Sequence, residues 1–338
     1  MPHPRAAPHR LASAGTVGVM DRRRAGTTGL EISRLALGTM TWSRDTDEVE
    51  AGLQLDAFLD AGGTLVDTAA SYADGGSEAL LGSLLQGTIS RRDLQIATKA
   101  GVRRTEDGGT IDASLDTLLA TLDESLGRLG TDHVDLFLVH AFDPMTPFEE
   151  TLHALEIAVA SGRARYVGIS NFPGWATSRA ATLATRPALA VTEVEYSLAQ
   201  RGIEREVLPA ARALGVGVLA WSPLGRGVLT GKYRSGIPAD SRAASDHLSG
   251  FVEPYLGSRV ETITDALITA SDGLGRTAHE VALAWVRDAP GVTAAIVGAR
   301  TAEQLAPSLE AEDLSLPTAI REALDEVARP TIGYPERR

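Results

Sequence analysis

Four side chains able to move protons or hold charge stand where short apolar runs end. Asp67 closes Leu65-Val66-Asp67, and Tyr72 follows after four intervening residues. Lys99 closes Leu94-Gln95-Ile96-Ala97-Thr98-Lys99, and His140 closes Asp135-Leu136-Phe137-Leu138-Val139-His140. Singly, each has an ordinary structural reading: a turn-capping Asp, a packed Tyr, a hydrogen-bonded His, and a Lys with a buried stem and solvated head. Jointly they can do chemistry. An Asp–Lys pair lets both charges survive partial burial. An ammonium beside a tyrosine favours the phenolate and lowers the hydroxyl from its ordinary ~10. A histidine can donate a hydrogen bond to a carbonyl oxygen. The set suits protonation of an oxygen on which negative charge is developing.

For these residues to meet, the runs that carry them must lie side by side. Eight such runs occur: Leu35–Leu37, Leu65–Asp67, Leu94–Lys99, Val134–His140, Tyr166–Ser170, Val191–Tyr196, Val216–Ser222 and Ala294–Gly298. The spacing of the first seven matches one strand plus one crossover helix, about 30 residues. Between them lie amphipathic stretches at 47–61, 112–129, 146–160, 204–214, 278–289 and 301–309. The second carries the stripe Leu115, Leu118, Leu119, Leu122, Leu126 and Leu129, with Gly130 as its stop. Alternating strand and helix predicts a parallel sheet, and eight units favour closure into a (β/α)8 TIM barrel, with chemistry at the C-terminal strand ends. An open doubly wound sheet is the alternative, but Leu37-Gly38-Thr39-Met40-Thr41-Trp42 lacks the glycine spacing of a dinucleotide fingerprint. Residues 22–32 read as an N-terminal hairpin turned at Thr28-Gly29, placed to plug the barrel. Gly225–Leu256 reads as a long polar loop after strand seven, of the kind that is usually functional or mobile.

Composition narrows the function classes. The 338 residues are 43% hydrophobic and 22% charged, with a formal net charge of −12. An acidic chain of this kind is expected to bind neither nucleic acid nor anionic membrane, so any phosphate-bearing ligand needs a local basic pocket. There is no cysteine, which excludes disulfides, thiolate metal sites and a cysteine nucleophile. His133, His153, His247 and His279 form no spaced ligand pair with a strand-end carboxylate, and no metal is expected. No apolar run approaches the ~20 residues of a membrane span. The stretch around Leu11-Ala12-Ser13-Ala14-Gly15 is too interrupted for a secretory leader, so the expected location is cytoplasmic. The expected organisation is a disordered extension at 1–21, one barrel over 22–330 and a tail at 331–338.

The order and spacing of several motifs resemble the aldo-keto reductases from about Arg22 to Leu309. The landmarks are Leu37-Gly38-Thr39-Met40, Asp67-Thr68-Ala69 with Tyr72, Ser77-Glu78-Ala79-Leu80-Leu81-Gly82, Ala97-Thr98-Lys99 and Val139-His140. They continue with Gly168-Ile169-Ser170-Asn171, Val194-Glu195-Tyr196-Ser197-Leu198, Trp221-Ser222-Pro223-Leu224 and Gly231-Lys232-Tyr233. The resemblance implies a barrel that reduces aldehyde and ketone carbonyls with NADPH, NADH being possible, and a tetrad of Asp67, Tyr72, Lys99 and His140. It implies hydride transfer from the nicotinamide, with Tyr72 protonating the oxygen.

The same resemblance implies cofactor contacts. Thr39, Met40 and Asp67 are among them, Ser170 and Asn171 hold the carboxamide, and Trp221 stacks on the ring. Ser222, Leu224, Gly225 and Gly227 lie along the pyrophosphate, and Lys232 adds charge. Gly298, Arg300, Thr301 and Gln304 lead into a helix whose N-terminus favours phosphate. Arg300 and Thr301 are expected to hold the 2′-phosphate of NADPH. Two positions depart from the family pattern: Glu193 stands where Gln is usual, and Ser308 where Asn is usual near the adenine. A glutamate accepts from the carboxamide nitrogen but donates only when protonated. Expected substrate-pocket walls, besides Tyr72, are Trp42, Phe142, Met145, Phe172 and Trp175. Two rival functions stay open: a cofactor-binding regulatory subunit on the same barrel with little turnover, and a Schiff-base aldolase built on Lys99.

Overall fold

The computed structural model describes residues 20–331 and 333, except positions 88, 106–107, 240 and 246–247. The expected extension lies outside the described residues apart from Met20 and Asp21. The expected tail does so apart from Thr331 and Gly333. The Met20 side chain is buried in the core, and its N–H donates to the carbonyl of Ala61 at 3.3 Å.

The described chain begins with β1 (Arg22–Arg24) and β2 (Glu31–Ser33), an antiparallel hairpin. Then come β3 (Leu35–Gly38), α1 (Glu48–Asp60), β4 (Leu65–Asp67), α2 (Gly76–Gln86) and β5 (Gln95–Ala100). A second hairpin, β6 (Val102–Thr105) and β7 (Gly108–Ile111), precedes α3 (Leu115–Leu129). The chain continues through β8 (Val134–Val139), α4 (Phe148–Ala160), β9 (Ala164–Ser170), α5 (Gly174–Leu183), β10 (Leu189–Glu195), α6 (Val207–Leu214) and β11 (Gly217–Trp221). A long connection holding α7 (Ser249–Val252) leads to α8 (Ser258–Leu274), α9 (Ala278–Arg287), β12 (Val292–Val297), α10 (Ala302–Glu310) and α11 (Thr318–Val327).

The eight strands β3, β4, β5, β8, β9, β10, β11 and β12 pair in parallel and close into a barrel flanked by helices. This is the (β/α)8 architecture that the strand–helix alternation predicts. The leucine stripe of α3 buries Leu118, Leu122, Leu126 and Leu129 against the barrel, and Gly130 ends the helix in the left-handed region at φ +65°. The periodicity does not reveal β6 and β7, whose Arg, Thr and Gly residues lack an alternating apolar face. Nor does it reveal α2 and α5, where Gly, Ser, Ala and Thr blur the apolar stripe.

Two apolar cores result. One lies between the barrel and its helices. The other fills the barrel with Ala36, Leu65, Ala97, Leu136, Leu138, Val191, Leu219, Ala294 and Ile296. Ala25, Leu30 and Ile32 of the N-terminal hairpin join this inner core, so the hairpin stoppers the N-terminal end as its position suggests. Its seat is a backbone approach: the N–H of Thr27 donates to the carbonyl of Gly215 at 2.8 Å. Gly26 has φ +60°, and a Cβ there would stand 2.1 Å from that oxygen.

Because Ile32 is fully buried in this stopper, Ile32→Ala is expected to cost about 2–5 kcal/mol. Chemical denaturation checks this: the midpoint falls and the slope stays that of the parent.

Candidate active site

Each barrel strand places its site residue by the two-residue period of the pleat. A side chain two positions beyond an inward apolar residue also points inward, one layer nearer the C-terminal mouth. Leu65 is followed by Asp67, Ala97 by Lys99, Leu138 by His140, Val191 by Glu193 and Leu219 by Trp221. The polar layer therefore rests on the apolar one. Register completes the alignment, with Gly38 opposite Asp67 and Asp67 opposite Ala97. Tyr72 lies on the loop after β4, which is pinned to β5 where the N–H groups of Thr68 and Ala70 donate to the carbonyls of Ala97 and Lys99. Ala73 and Asp74, just beyond it, adopt left-handed backbone at φ 48° and 52°.

The four tetrad positions meet. The Lys99 ammonium is fully buried and donates at 2.7 Å to both carboxylate oxygens of Asp67 and at 3.0 Å to the Thr68 carbonyl. It also approaches the Tyr72 hydroxyl at 3.4 Å and Glu193 Oε1 at 3.4 Å. The His140 ring stands edge-on to Tyr72 with centroids 5.9 Å apart. Its Nδ1 lies 3.4 Å from Ser71 Oγ, and its carbonyl accepts from Asn171 Nδ2 at 3.0 Å.

The charges balance unevenly. Burial opposes the Lys99 cation, but Asp67, Glu193 and Tyr72 together raise it above its ordinary range, so it stays protonated. Burial, then the Asp67 charge, push the Glu193 carboxyl up to about 8, and Lys99 pulls it back only in part. Burial also raises Asp67, against the pull of Lys99. Since the two short bonds of Lys99 go to Asp67, it is Asp67 that carries the negative charge and Glu193 that keeps its proton at neutral pH. One expectation is corrected. Lys99 does lower the Tyr72 hydroxyl, yet burial outweighs it and the net shift is upward, with Asp67 and Glu193 adding to the rise. Tyr72 is therefore held in its protonated form.

These groups stand at the end of a cavity of about 730 Å³, within the range of small-molecule sites. Of the expected cofactor residues, Met40, Asp67, Asn171, Glu193, Trp221, Ser222, Leu224, Gly227, Lys232, Gly298, Arg300 and Gln304 line it. Thr39, Ser170, Gly225, Thr301 and Ser308 do not; they act behind the wall. Thr39 is buried and donates to the Asp67 carbonyl, and Ser170 accepts from Asn171 at 2.9 Å. Thr301 caps α10 by accepting from the Gln304 N–H, and Ser308 Oγ lies 2.7 Å from His279 Nε2. The Trp221 indole N–H donates to Asn171 Oδ1 at 3.1 Å. Asn171 and Ser222 hold left-handed backbone at φ 59° and 51°, strain of the kind found at ligand sites.

The expected pocket walls need correction. Trp42 is buried, and its indole N–H donates to Gln54 Oε1 at 3.1 Å, so it is part of the outer core. Phe142 packs edge-on against Phe172 and Trp175 and at a tilt against Phe148, in a separate aromatic cluster outside the barrel. Met145 is 87% exposed and Trp175 55%. Position just past a strand end did not distinguish side chains that turn into the mouth from those that pack under the next helix. Apolar side chains that do line the cavity include Val102, Trp221 and Phe251. Phe251 comes from the long connection after β11 and lies parallel to Trp221 at 6.3 Å. Arg226 holds it there: the guanidinium grips both oxygens of Glu195 at 2.8 and 2.6 Å and lies 3.8 Å over the Phe251 ring. The pairing of Glu195 with an arginine of that connection leaves no trace in local pattern.

The other end of the cavity is basic, with Lys232, Arg242 and Arg300 on its wall. Arg242 was not among the expected residues; burial, and the neighbouring Arg300, lower its guanidinium despite Tyr233 and Asp45. His279 also lines this end, and burial lowers it to about 4, keeping it neutral. The N-terminus of α10 differs from expectation. Its Ala302 N–H donates to Glu50 Oε2 at 2.9 Å, so a carboxylate of the chain itself already takes that donor. Among the described residues, no group of three or more His, Asp or Glu is placed to hold a metal ion, and no helix is long and apolar enough to cross a membrane.

Residues 34–329 match the sequence profile of the Aldo/keto reductase family. The chain belongs to that family. It is an NAD(P)H-dependent oxidoreductase built on the family's barrel. Similar relatives include an uncharacterized oxidoreductase, YrpG, of Bacillus subtilis (strain 168), 37% identical over 89% of this chain and 94% of its own. The L-glyceraldehyde 3-phosphate reductase of Escherichia coli (strain K12) is 33% identical over 89% of this chain and 90% of its own. A protein of Oryza sativa subsp. japonica named as a probable voltage-gated potassium channel subunit beta is 33% identical over 94% of this chain and 98% of its own.

The buried Asp67–Lys99 pair makes a stability prediction. Lys99→Met leaves two buried carboxyls without their cation and is expected to cost about 3–5 kcal/mol. Adding Asp67→Asn to that variant removes the uncompensated charge and is expected to restore a large part of the loss. Urea unfolding of the two single variants and the double variant measures the coupling.

Proposed function

We propose that this aldo/keto reductase reduces aldehyde or ketone carbonyls to alcohols with NADPH, using Tyr72 as the acid. The observation that carries this reading is the contact of Lys99 with Asp67 at 2.7 Å and with Tyr72 at 3.4 Å on the wall of a cavity that His140 shares. The cavity also fits the cofactor. Glu193, a buried carboxyl beside Asp67 and Lys99, lines the wall where it would meet a carboxamide. Trp221 offers a ring face beside Asn171, and three basic side chains stand at the opposite end for phosphates.

The bound cofactor supplies the hydride. The chain's residues handle the proton. Tyr72 is held protonated by burial and can release its proton to an oxygen as charge develops there. Lys99, locked by Asp67, stands where its charge stabilises the phenolate left behind. His140, at the same wall, is placed to orient the oxygen. Asn171, fixed by His140 and Ser170, and Glu193 orient the carboxamide. Arg300 and Arg242 hold the 2′-phosphate, with Lys232 beside them. The aldolase reading loses support: a Schiff-base lysine must shed its proton, whereas Asp67 holds Lys99 charged. The rice relative's name favours a second reading, a cofactor-binding regulatory subunit with little turnover.

NADPH oxidation with a panel of aldehydes, ketones and quinones decides between turnover and binding alone. Tyr72→Phe keeps the ring and removes the acid, so kcat is expected to fall roughly 10²–10⁴-fold with NADPH affinity nearly unchanged. Parental turnover in this variant would remove Tyr72 as the acid.

For cofactor choice, Arg300→Ala is expected to weaken NADPH about 10–150-fold, the loss of one charge-assisted hydrogen bond, and to leave NADH nearly unchanged. Equilibrium binding of both cofactors measures it; equal losses would tie Arg300 to a part that the cofactors share.

A further inference from the structure

Glu193 is more than an acceptor for an amide. It is buried on β10 beside Asp67 and lines the cavity, with Oε1 3.4 Å from Lys99 Nζ. The titratable and charged groups around it are Lys99 from β5, Asp67 from β4, Tyr72 from the loop after β4, and His140 at the same cavity wall beyond β8. Its strand neighbours, Ser170 on β9 and Leu219 on β11, carry no charge. One ammonium is thus shared between two carboxyls, and Asp67 has both short bonds. If both carboxyls ionise, this end of the cavity carries a net negative charge. A glutamine in the same place would leave it neutral.

The reduced nicotinamide ring is uncharged and the oxidised ring is a cation. A carboxyl on the wall where that ring sits, away from bulk water, discriminates between the two. We propose that Glu193 makes this end of the cavity favour the oxidised cofactor over the reduced one, and that it gives up its proton when the oxidised form binds. The proposal rests on the reading above that the nicotinamide lies beside Glu193.

The sign follows from linkage. Burial and Asp67 push Glu193 up to about 8, so below that pH the group is neutral and indifferent to the ring's charge. A neighbouring cation favours the ionised form, so the oxidised cofactor draws the proton off and binds more tightly as pH rises through that range. The reduced cofactor gains nothing from the ionisation. The proton released belongs to Glu193 and goes to solvent; no covalent bond of the cofactor changes on binding.

The test uses the full chain and measures Kd for NADP⁺ and NADPH by quenching of tryptophan fluorescence between pH 6.5 and 9.5. The ratio of the two affinities cancels the titration of the phosphates, which both forms share. In the parent, the preference for NADP⁺ is expected to rise about five- to tenfold across the range, the effect of a shift of about one pKa unit. In Glu193→Gln the ratio is expected to stay flat. Calorimetry of NADP⁺ binding near pH 7.5, in two buffers of different ionisation enthalpy, is expected to show proton release in the parent and not in the variant. The parent's own pH dependence keeps the test open if the variant folds poorly. Binding of both cofactors with a pH-independent ratio in the parent would overturn this proposal and leave the proposed function standing. The same rise in Glu193→Gln would assign the proton to another group. Binding of neither cofactor would overturn the proposed function and this inference with it.

Discussion

The ion pair between Asp67 and Lys99 is the constraint around which the site is organised. A lysine with no exposed surface at all must find compensation within its own strand layer, and it does so through both oxygens of one carboxylate and a backbone carbonyl. Those bonds tie β5 to β4, while the backbone bonds of Thr68 and Ala70 to β5 draw the following loop into line. Tyr72 is delivered by that loop, so its place follows from the pair rather than from any preference of its own. Charge burial is costly without such compensation, and the same arrangement that meets the cost also leaves an ammonium facing a phenol.

The cavity is polarised from end to end. Near the tetrad, two carboxyls share one ammonium, so this end turns negative when Glu193 ionises; elsewhere on the wall Lys232, Arg242 and Arg300 gather in a chain whose formal charge is −12. A dinucleotide that carries its phosphates at one end and a ring of variable charge at the other fits this gradient in one direction. The roof is held by electrostatics too, since Arg226 bridges Glu195 of β10 to Phe251 of the long connection.

Much of this was legible in the sequence because it is repetitive or local. Eight apolar runs at near-regular spacing predict the barrel, and Thr28-Gly29 marks the hairpin that stoppers it. Asp67, Lys99 and His140 are legible because they stand at strand ends, where the mouth must be, and Tyr72 because it follows Asp67 by five residues. What escaped is contingent on partners distant in the chain. Trp42, Phe142, Phe172 and Trp175 sit just past strand ends and read like pocket walls, but their rings meet Gln54 or one another. Phe251 and Arg242 come from a connection too polar to show a period. The upward shift of Tyr72 is not legible either, since proximity to lysine is visible in a motif but burial is not. Glu50 at the start of α10 pairs positions 252 residues apart.

The two-residue pleat carries a further implication for how such a barrel changes over generations. One residue inserted into or deleted from β4, β5 or β10 would turn Asp67, Lys99 or Glu193 outward toward the helices and bring an outer-shell residue into the mouth. Strand interiors are thus closed to changes of length and open only to substitution. Drift in length is confined to the connections. The longest of these, between β11 and α8, supplies Phe251, Arg226 and Arg242 to the cavity. Remodelling of such connections changes the cavity wall while the inner frame stays in step.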